Sequence, residues 1–178
     1  MESGERIRLF CALDLPDDAR GKVSAWAAGS LASHGRLVPA ENLHVTLAFL
    51  GHRPAGEVPA ILDELRAASA AAQPVELRPL RYRQTRSVGM IVLDDVGGAA
   101  TTLAGDLHGR LERLGVYRRE GRSWLPHVTV LRRPQAGGDR PAPANMCSIH
   151  VVRSALYRSS LAEGGARYDA LETAALGG

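Results

Sequence analysis

The sequence predicts an α+β fold in which helices cover the outer faces of antiparallel sheets, whose other faces meet across a cleft. Short runs with strand-like alternation outnumber runs with helical spacing. Their order is strand, helix, strand, helix, strand, strand, helix and then three strands. A hydrophobic fraction of 45% suffices for a buried core. The length of 178 residues indicates a single domain, 1–178.

The first half of the chain contains two strands that alternate with two helices. These elements are predicted, in chain order, at 6–14, 16–33, 43–50 and 55–72. Pro16 and the acidic residues after it are typical of a helix start, and Pro74 ends the second helix. Gly51 closes the second strand.

The second half of the chain contains five strands and one helix. The strands are predicted at 75–83, 88–96, 125–131, 148–157 and 167–176. The helix begins at Thr101 or Thr102 and ends near Gly115, a residue suited to a helix C-terminus. The segment 133–144 contains three Pro and two Gly, which indicates a loop.

Composition excludes several classes of protein. No run of about 18 apolar residues occurs, and the N-terminus is charged where a signal peptide is apolar. We therefore expect a cytoplasmic protein without membrane contact. Cys11 and Cys147 form no C-x-x-C pair, so neither a disulfide framework nor a thiolate zinc site is predicted. The net charge of +3 allows an anionic partner without requiring one.

One tetrapeptide pattern occurs twice in the sequence, as His44-Val-Thr46-Leu and, 83 residues later, as His127-Val-Thr129-Val. The composition predicts about 0.2 chance occurrences of H-x-T. Both copies lie on predicted strands, where residues i and i+2 share a face. Each strand therefore presents an imidazole beside a hydroxyl. In the first copy the opposite face, pointing into the core, carries Leu43, Val45, Leu47 and Phe49.

Two imidazoles and two hydroxyls suit the hydrolysis of a phosphodiester. One histidine takes a proton from the attacking water, and the other protonates the departing oxygen. The hydroxyls of Thr46 and Thr129 can donate hydrogen bonds to the phosphoryl oxygens. This scheme needs no metal, and no carboxylate lies at a ligand-like spacing from either histidine, although a metal site that includes both remains an alternative. Surface or structural roles are predicted for the remaining histidines, His34, His52, His108 and His150.

With these two histidine motifs, the sequence resembles the RNA 2′,3′-cyclic phosphodiesterases of the two-histidine phosphoesterase superfamily, formerly called 2′-5′ RNA ligases. The resemblance covers nearly the whole chain. It includes the segments RLFCALDLP, ENLHVTLAFLG, WLPHVTVLRR and VVRSALYRSSLAEGGARYDAL. It implies a bilobal fold of two pseudo-symmetric sheets around a central cleft. It also implies that His44 and His127 are the catalytic pair and that Thr46 and Thr129 bind phosphate.

The resemblance further implies a substrate and a reaction. The substrate is an RNA end or a nucleotide with a 2′,3′-cyclic phosphate, which is opened to a 2′-phosphate without a cofactor. We assign His127 as the base and His44 as the acid, and the reverse assignment remains open. The family commonly has an arginine after the second motif, matched here by Arg132, which is therefore a candidate substrate-binding residue. Strand parity puts that side chain opposite His127 and Thr129 unless the strand twists or bulges there. Phe10 is predicted to pack in the core rather than on a base.

Three functions are therefore compared. Hydrolysis is favoured, and joining of RNA ends through a 2′-5′ linkage is the same chemistry run in reverse. A non-catalytic RNA-binding module is disfavoured, because aromatic residues make up only 4% of the chain and neither an aromatic platform nor a G-x-x-G clamp is present. We expect a monomer.

Overall fold

Two antiparallel sheets form the framework of the structure, a computed structural model that describes residues 4–136, 141–143, 146–163 and 165–177. The strands, in chain order, are β1 (Arg6–Leu13), β2 (Arg36–Leu37), β3 (Val45–Pro54), β4 (Val75–Gln84), β5 (Val88–Val96), β6 (His127–Arg132), β7 (Ile149–Val151), β8 (Arg153–Ala162) and β9 (Gly165–Ala175). The first sheet has the order β3-β1-β8-β9, and the second has the order β2-β6-β5-β4-β7.

Within the described residues, three α-helices cover the backs of these sheets: α1 (Asp17–Leu31), α2 (Val58–Ala71) and α3 (Ala99–Arg113). Helices α2 and α3 pack on each other; α2 contacts the first sheet, and α3 contacts both. Helix α1 packs on the second sheet, against β2 and β6. Short 3-10 turns at Ala40–Asn42 and Ala55–Glu57 precede β3 and α2. The α+β fold with helices on the outer faces is confirmed.

One continuous apolar core joins the helices to both sheets. Leu13 and Leu47 from the first sheet, Ile91 and Val128 from the second, and Leu107 from α3 are at most 2% exposed. Burying a side chain of this size contributes roughly 1.5–3 kcal/mol. The opposite face of each sheet is left free to build a cleft.

The predicted strand 148–157 is wrong, because this segment belongs to two sheets. Residues Ile149–Val151 pair with β4 in the second sheet, whereas Arg153–Ala162 pair with β1 and β9 in the first. Val152 lies between the two strands and is 59% exposed. A change of sheet leaves the local run of strand-forming residues uninterrupted, so the pattern could not reveal it.

The predicted start of the third helix at Thr101 or Thr102 is also wrong. Helix α3 begins at Ala99, directly after Gly97 and Gly98, which both adopt positive φ angles of 78° and 76°. The Asp95 carboxylate accepts hydrogen bonds from the backbone N–H groups of Ala100 and Thr101, at 3.1 and 2.7 Å. The first N–H groups of α3 are therefore capped by Asp95, which precedes the two glycines, and not by Thr101 or Thr102.

The remaining boundaries agree with the predictions to within a few residues, and Gly115 closes α3 with a φ of 76°. Strand β2, only two residues long, was not predicted. The predicted loop 133–144 is irregular where it is described, and its other residues lie outside the described ranges. None of the helices in those ranges has the length and apolar character needed to span a bilayer.

Candidate active site

A β-bulge follows the first histidine motif. Thr46 pairs with Ala12 and Ala48 pairs with Cys11, so Leu47 is an extra residue in β3. Leu47 and Ala48 are consequently both buried, at 2% exposure each, and the alternation of faces reverses after them. The prediction that Phe49 points into the core is wrong for this reason. Phe49 is 49% exposed, with the Arg8 guanidinium 4.9 Å from its ring centre.

The second motif has the same irregularity at the equivalent place. Thr129 pairs with Met90 and Leu131 pairs with Gly89, which leaves Val130 as the extra residue. Val130 and Leu131 are both fully buried. Arg132 therefore returns to the face that carries Thr129, and it lines the cleft beside Thr129. Regular strand parity would have put Arg132 on the opposite face, and this bulge is the exception that brings the candidate arginine to the cleft.

His44 and His127 are each held by an equivalent hydrogen bond from the ring to a backbone carbonyl. Nδ1 of His44 donates to the carbonyl of Asn42 at 2.7 Å, and Nδ1 of His127 donates to the carbonyl of Leu125 at 2.8 Å. A carbonyl only accepts, so Nδ1 carries the proton in each neutral ring and Nε2 is the basic nitrogen. The carbonyl two residues before each histidine thus fixes its tautomer.

The Thr46 hydroxyl lies next to the reactive nitrogen of its histidine. Its Oγ1 is 3.0 Å from Nε2 of His44 and donates to that nitrogen while the ring is neutral. When the ring is protonated, Nε2 carries a proton that either Thr46 Oγ1 or an oxygen of a bound ligand can accept, and the hydroxyl proton is free for another acceptor. The pair can therefore pass a hydrogen bond to an oxygen of a bound ligand.

Three aromatic rings surround His44. The centre of the Phe10 ring lies 4.8 Å from that of the imidazole, and the Tyr168 ring approaches edge-on at 5.4 Å. Tyr157 stacks on Phe10 at 5.2 Å, and its hydroxyl donates to the Asp14 carboxylate at 3.2 Å. Phe10 is 4% exposed, so it is buried as predicted, in a small cluster on the cleft side.

These surroundings disfavour a charge on His44. Burial lowers the pKa of His44 to about 4, although the hydrogen bond to Asn42 opposes the shift. Arg132 and His127 add Coulombic repulsion that lowers the pKa further. His44 is therefore neutral near pH 7, and an anion between these groups would raise its pKa.

The cleft brings together residues from both halves of the chain. Its lining includes His44 from the first motif, Thr129 and Arg132 from the second, and Arg36 and Tyr168 from β2 and β9. The indole N–H of Trp124 donates to the Thr46 carbonyl at 3.0 Å. This hydrogen bond connects the segment just before β6 to the first motif. Among the described residues that line this cleft there is no carboxylate, so the site suits an anion.

Sequence reasoning missed four residues that shape this site. They are Arg36, Asn42, Trp124 and Tyr168. Asn42 donates its side-chain amide to the Ala166 carbonyl at 2.7 Å, which connects the start of β3 to β9. Asn42 could have been found from the sequence by its position two residues before His44. In both motifs the backbone carbonyl at that position accepts a hydrogen bond from the histidine ring and orients it.

The other histidines lie where they were predicted. His108 is buried on α3, where Nε2 hydrogen-bonds the Leu47 carbonyl at 2.7 Å. His52 and His150 are exposed, and His34 is partly exposed. Within the described ranges, no group of three or more His, Cys, Asp or Glu side chains could hold a metal ion. The absence of a metal from the reaction stays a prediction.

The chain also matches known proteins in sequence. Residues 13–86 match the family model of LigT-like phosphoesterases. The chain is 33% identical to an RNA 2′,3′-cyclic phosphodiesterase of Escherichia coli K12 over 177 residues, which cover 97% of this chain and 98% of the relative.

Two solved structures have the same fold. The crystal structure of E. coli LigT complexed with 3′-AMP has a TM-score of 0.82 at 32% identity. The crystal structure of the Thermus thermophilus protein TT0787 has a TM-score of 0.83 at 28% identity. Each alignment covers 97% of this chain and 99% of the other.

Proposed function

Because this chain belongs to the LigT-like phosphoesterase family, we propose that it hydrolyses the 2′,3′-cyclic phosphate of an RNA or nucleotide end to a 2′-phosphate. The observation that carries the proposal is the pair of equivalent hydrogen bonds from Nδ1 of His44 and of His127 to backbone carbonyls. Each bond leaves Nε2 to exchange a proton with the substrate. The E. coli relative is named an RNA 2′,3′-cyclic phosphodiesterase.

The reaction is an in-line displacement at phosphorus. Water attacks the phosphorus while one imidazole Nε2 takes its proton, and the bond between phosphorus and the 3′ oxygen breaks. The other imidazolium gives its Nε2 proton to the 3′ oxygen. The products are a 2′-phosphate and a free 3′-hydroxyl, and a second proton exchange with water restores both rings.

We assign His127 as the base and His44 as the acid. Burial lowers the pKa of His44 to about 4, so this assignment requires that the substrate anion raise that pKa enough for the ring to carry a proton. A protonated ring whose charge is disfavoured by burial and by Arg132 releases its proton readily to a leaving oxygen. If the bound phosphate does not raise the pKa of His44, the two roles are reversed.

Thr46, Thr129 and Arg132 are proposed to bind the phosphoryl oxygens. Thr129 and Arg132 line the cleft, and the Thr46 hydroxyl lies 3.0 Å from Nε2 of His44, which also lines it. Hydroxyl donors and a guanidinium stabilise the negative charge that grows on these oxygens in the transition state. Removing one such donor is expected to lower kcat by about 100-fold.

Product analysis with cyclic-phosphate mononucleotides and oligonucleotides tests the reaction, run with a chelator and in parallel with His44→Ala and His127→Ala. We expect 2′-phosphate products with the chelator present, and loss of turnover in both variants. Products joined through a 2′-5′ linkage would identify end joining instead. Tight RNA binding without turnover would identify a binding module, and full activity in either variant would refute the mechanism.

A substrate with sulfur in place of the 3′ oxygen separates the acid from the base. A thiolate leaves without protonation, so a variant that lacks only the acid keeps its activity on this substrate. The assignment above predicts that His44→Ala is rescued by the sulfur substrate and that His127→Ala is not. The opposite result would reverse the roles.

The proposal takes the protein as a monomer in the cytoplasm. Both histidine motifs come from one chain, so a complete site needs no second copy. Cys11 is buried, and Cys147 is an exposed free thiol, as expected in a reducing compartment. Light scattering tests the first point and cell fractionation the second.

A further inference from the structure

The cleft-side face of the second sheet extends beyond the proposed catalytic residues, over β5 to β4. Paired residues on neighbouring antiparallel strands project to the same face. Thr129 pairs with Met90, which pairs with Arg83. His127 pairs with Val92, which pairs in turn with Arg81. Arg81 and Arg83 therefore share the face of the second histidine motif, two strands away, or about 10 Å.

The two arginines are open to a ligand. Both side chains are exposed, and within the described ranges neither guanidinium has a hydrogen-bond or ion-pair partner. They stand about 7 Å apart along β4. Tyr82 between them points the other way, into the core against the α1 side of the sheet, so the two charges stay on the cleft-side face.

The strip between the motif and the arginines is apolar. Met90 and Val92 are 8% and 1% exposed, yet among the described residues they belong to neither of the core clusters. These two buried apolar residues lie between His127 and Thr129 on β6 and the two arginines on β4.

Positive charge on this face ends further along β4. Arg78 forms an ion pair with Glu76 at 3.9 Å and lies opposite Asp94 in the strand pairing. The exposed β4 arginines without an ion-pair partner among the described residues, Arg81 and Arg83, thus lie at the end of the strand near the second motif. We name Arg81 and Arg83 together the β4 arginine pair.

We propose that the β4 arginine pair binds backbone phosphates of an RNA chain whose cyclic-phosphate end lies between His44 and His127. This inference rests on the proposed function and narrows its substrate class to oligonucleotides. The chain continues from the 5′ oxygen of the terminal nucleotide, and a guanidinium holds a phosphate through paired N–H donors. A cyclic-phosphate mononucleotide has no further phosphate to place on β4.

The experiment compares Arg81→Gln/Arg83→Gln with the wild type on two substrates, a cyclic-phosphate mononucleotide and an oligonucleotide with the same end. We expect kcat/KM on the oligonucleotide to fall about 10-fold, with less than about a twofold change on the mononucleotide. Loss of two phosphate contacts should reduce the slope of log affinity against log salt by about 1.4. Lys22→Gln/Arg113→Gln is the matched control, since it removes two exposed cations from α1 and α3.

A binding assay keeps this inference separate from the enzymatic one. Fluorescence anisotropy with a 3′-phosphorylated oligonucleotide measures RNA affinity without turnover. Weaker binding by the β4 variant than by the control supports the inference, even if the wild type fails to hydrolyse cyclic phosphates. Equal binding and equal oligonucleotide turnover in the β4 variant and the control would overturn it, and an acidic protein partner would then have to account for the pair.

Discussion

Acidification should destabilise the folded protein through His44. The ring has an ordinary pKa of 6.5 and a folded-state pKa of about 4. Between these values the unfolded chain binds the proton and the folded chain does not, so stability is lost as the pH falls below 6.5. Going from about pH 7 to about pH 5, linkage gives a loss of about 2 kcal/mol from this residue alone.

Urea denaturation at the two pH values measures this loss in the wild type and in His44→Gln. Other groups also titrate, so the informative quantity is the difference in unfolding free energy between the two proteins. On acidification from about pH 7 to about pH 5, we expect the wild type to lose about 2 kcal/mol more unfolding free energy than His44→Gln loses. His150→Gln, at an exposed site, is the matched control and should show no such shift.

A difference that stays constant within about 0.5 kcal/mol would refute the reasoning. It would mean that burial and the neighbouring cations do not lower the pKa of His44 in the folded protein. An NMR titration of the imidazole gives the same value directly. Repeating it with bound inorganic phosphate tests whether an anion raises that pKa, as the assignment of His44 as the acid requires.

Four further substitutions test other parts of the structure. Arg132→Gln should raise the pKa of His44, read by NMR, because it removes a repelling charge, and it should lower kcat/KM; an unchanged titration would place the guanidinium away from the ring. Thr46→Val should lower kcat by about 100-fold while leaving the thermal unfolding temperature nearly unchanged, and undiminished turnover would exclude the proposed role. Tyr157→Phe should cost about 1 kcal/mol in urea denaturation, because the Asp14 carboxylate loses a donor. Gly89→Ala should cost about 1–3 kcal/mol, since its Cβ would lie 2.1 Å from the Tyr82 hydroxyl oxygen; wild-type stability would show that the ring moves freely.

Much of the fold was predictable because local patterns carry it. The apolar stripes of α1 and α2 and the glycine after α3 located the helices, and the alternating runs located most strands. The failures at 148–157 and at the start of α3 have a common cause. A change of sheet and a cap from Asp95 across a glycine turn both depend on where distant atoms lie.

The candidate site was predicted in part. His44, Thr46, His127 and Thr129 were found because a repeated pair at i and i+2 is visible in one dimension. Arg132 was a candidate whose face depended on whether the strand bulged, and Phe49 was wrongly assigned to the core. Both outcomes are decided by β-bulges, which add one residue to a strand and are set by pairing with a neighbour.

The sequence by itself determined the secondary structure and the duplicated histidine and threonine pairs, since these depend on residue type and spacing along the chain. The tertiary structure alone decided which side chains meet in the cleft, how far the pKa of His44 falls, and that Arg81 and Arg83 share a face with His127 and Thr129. Those properties depend on strand register, burial and distances between residues far apart in the chain, and a linear pattern contains none of them.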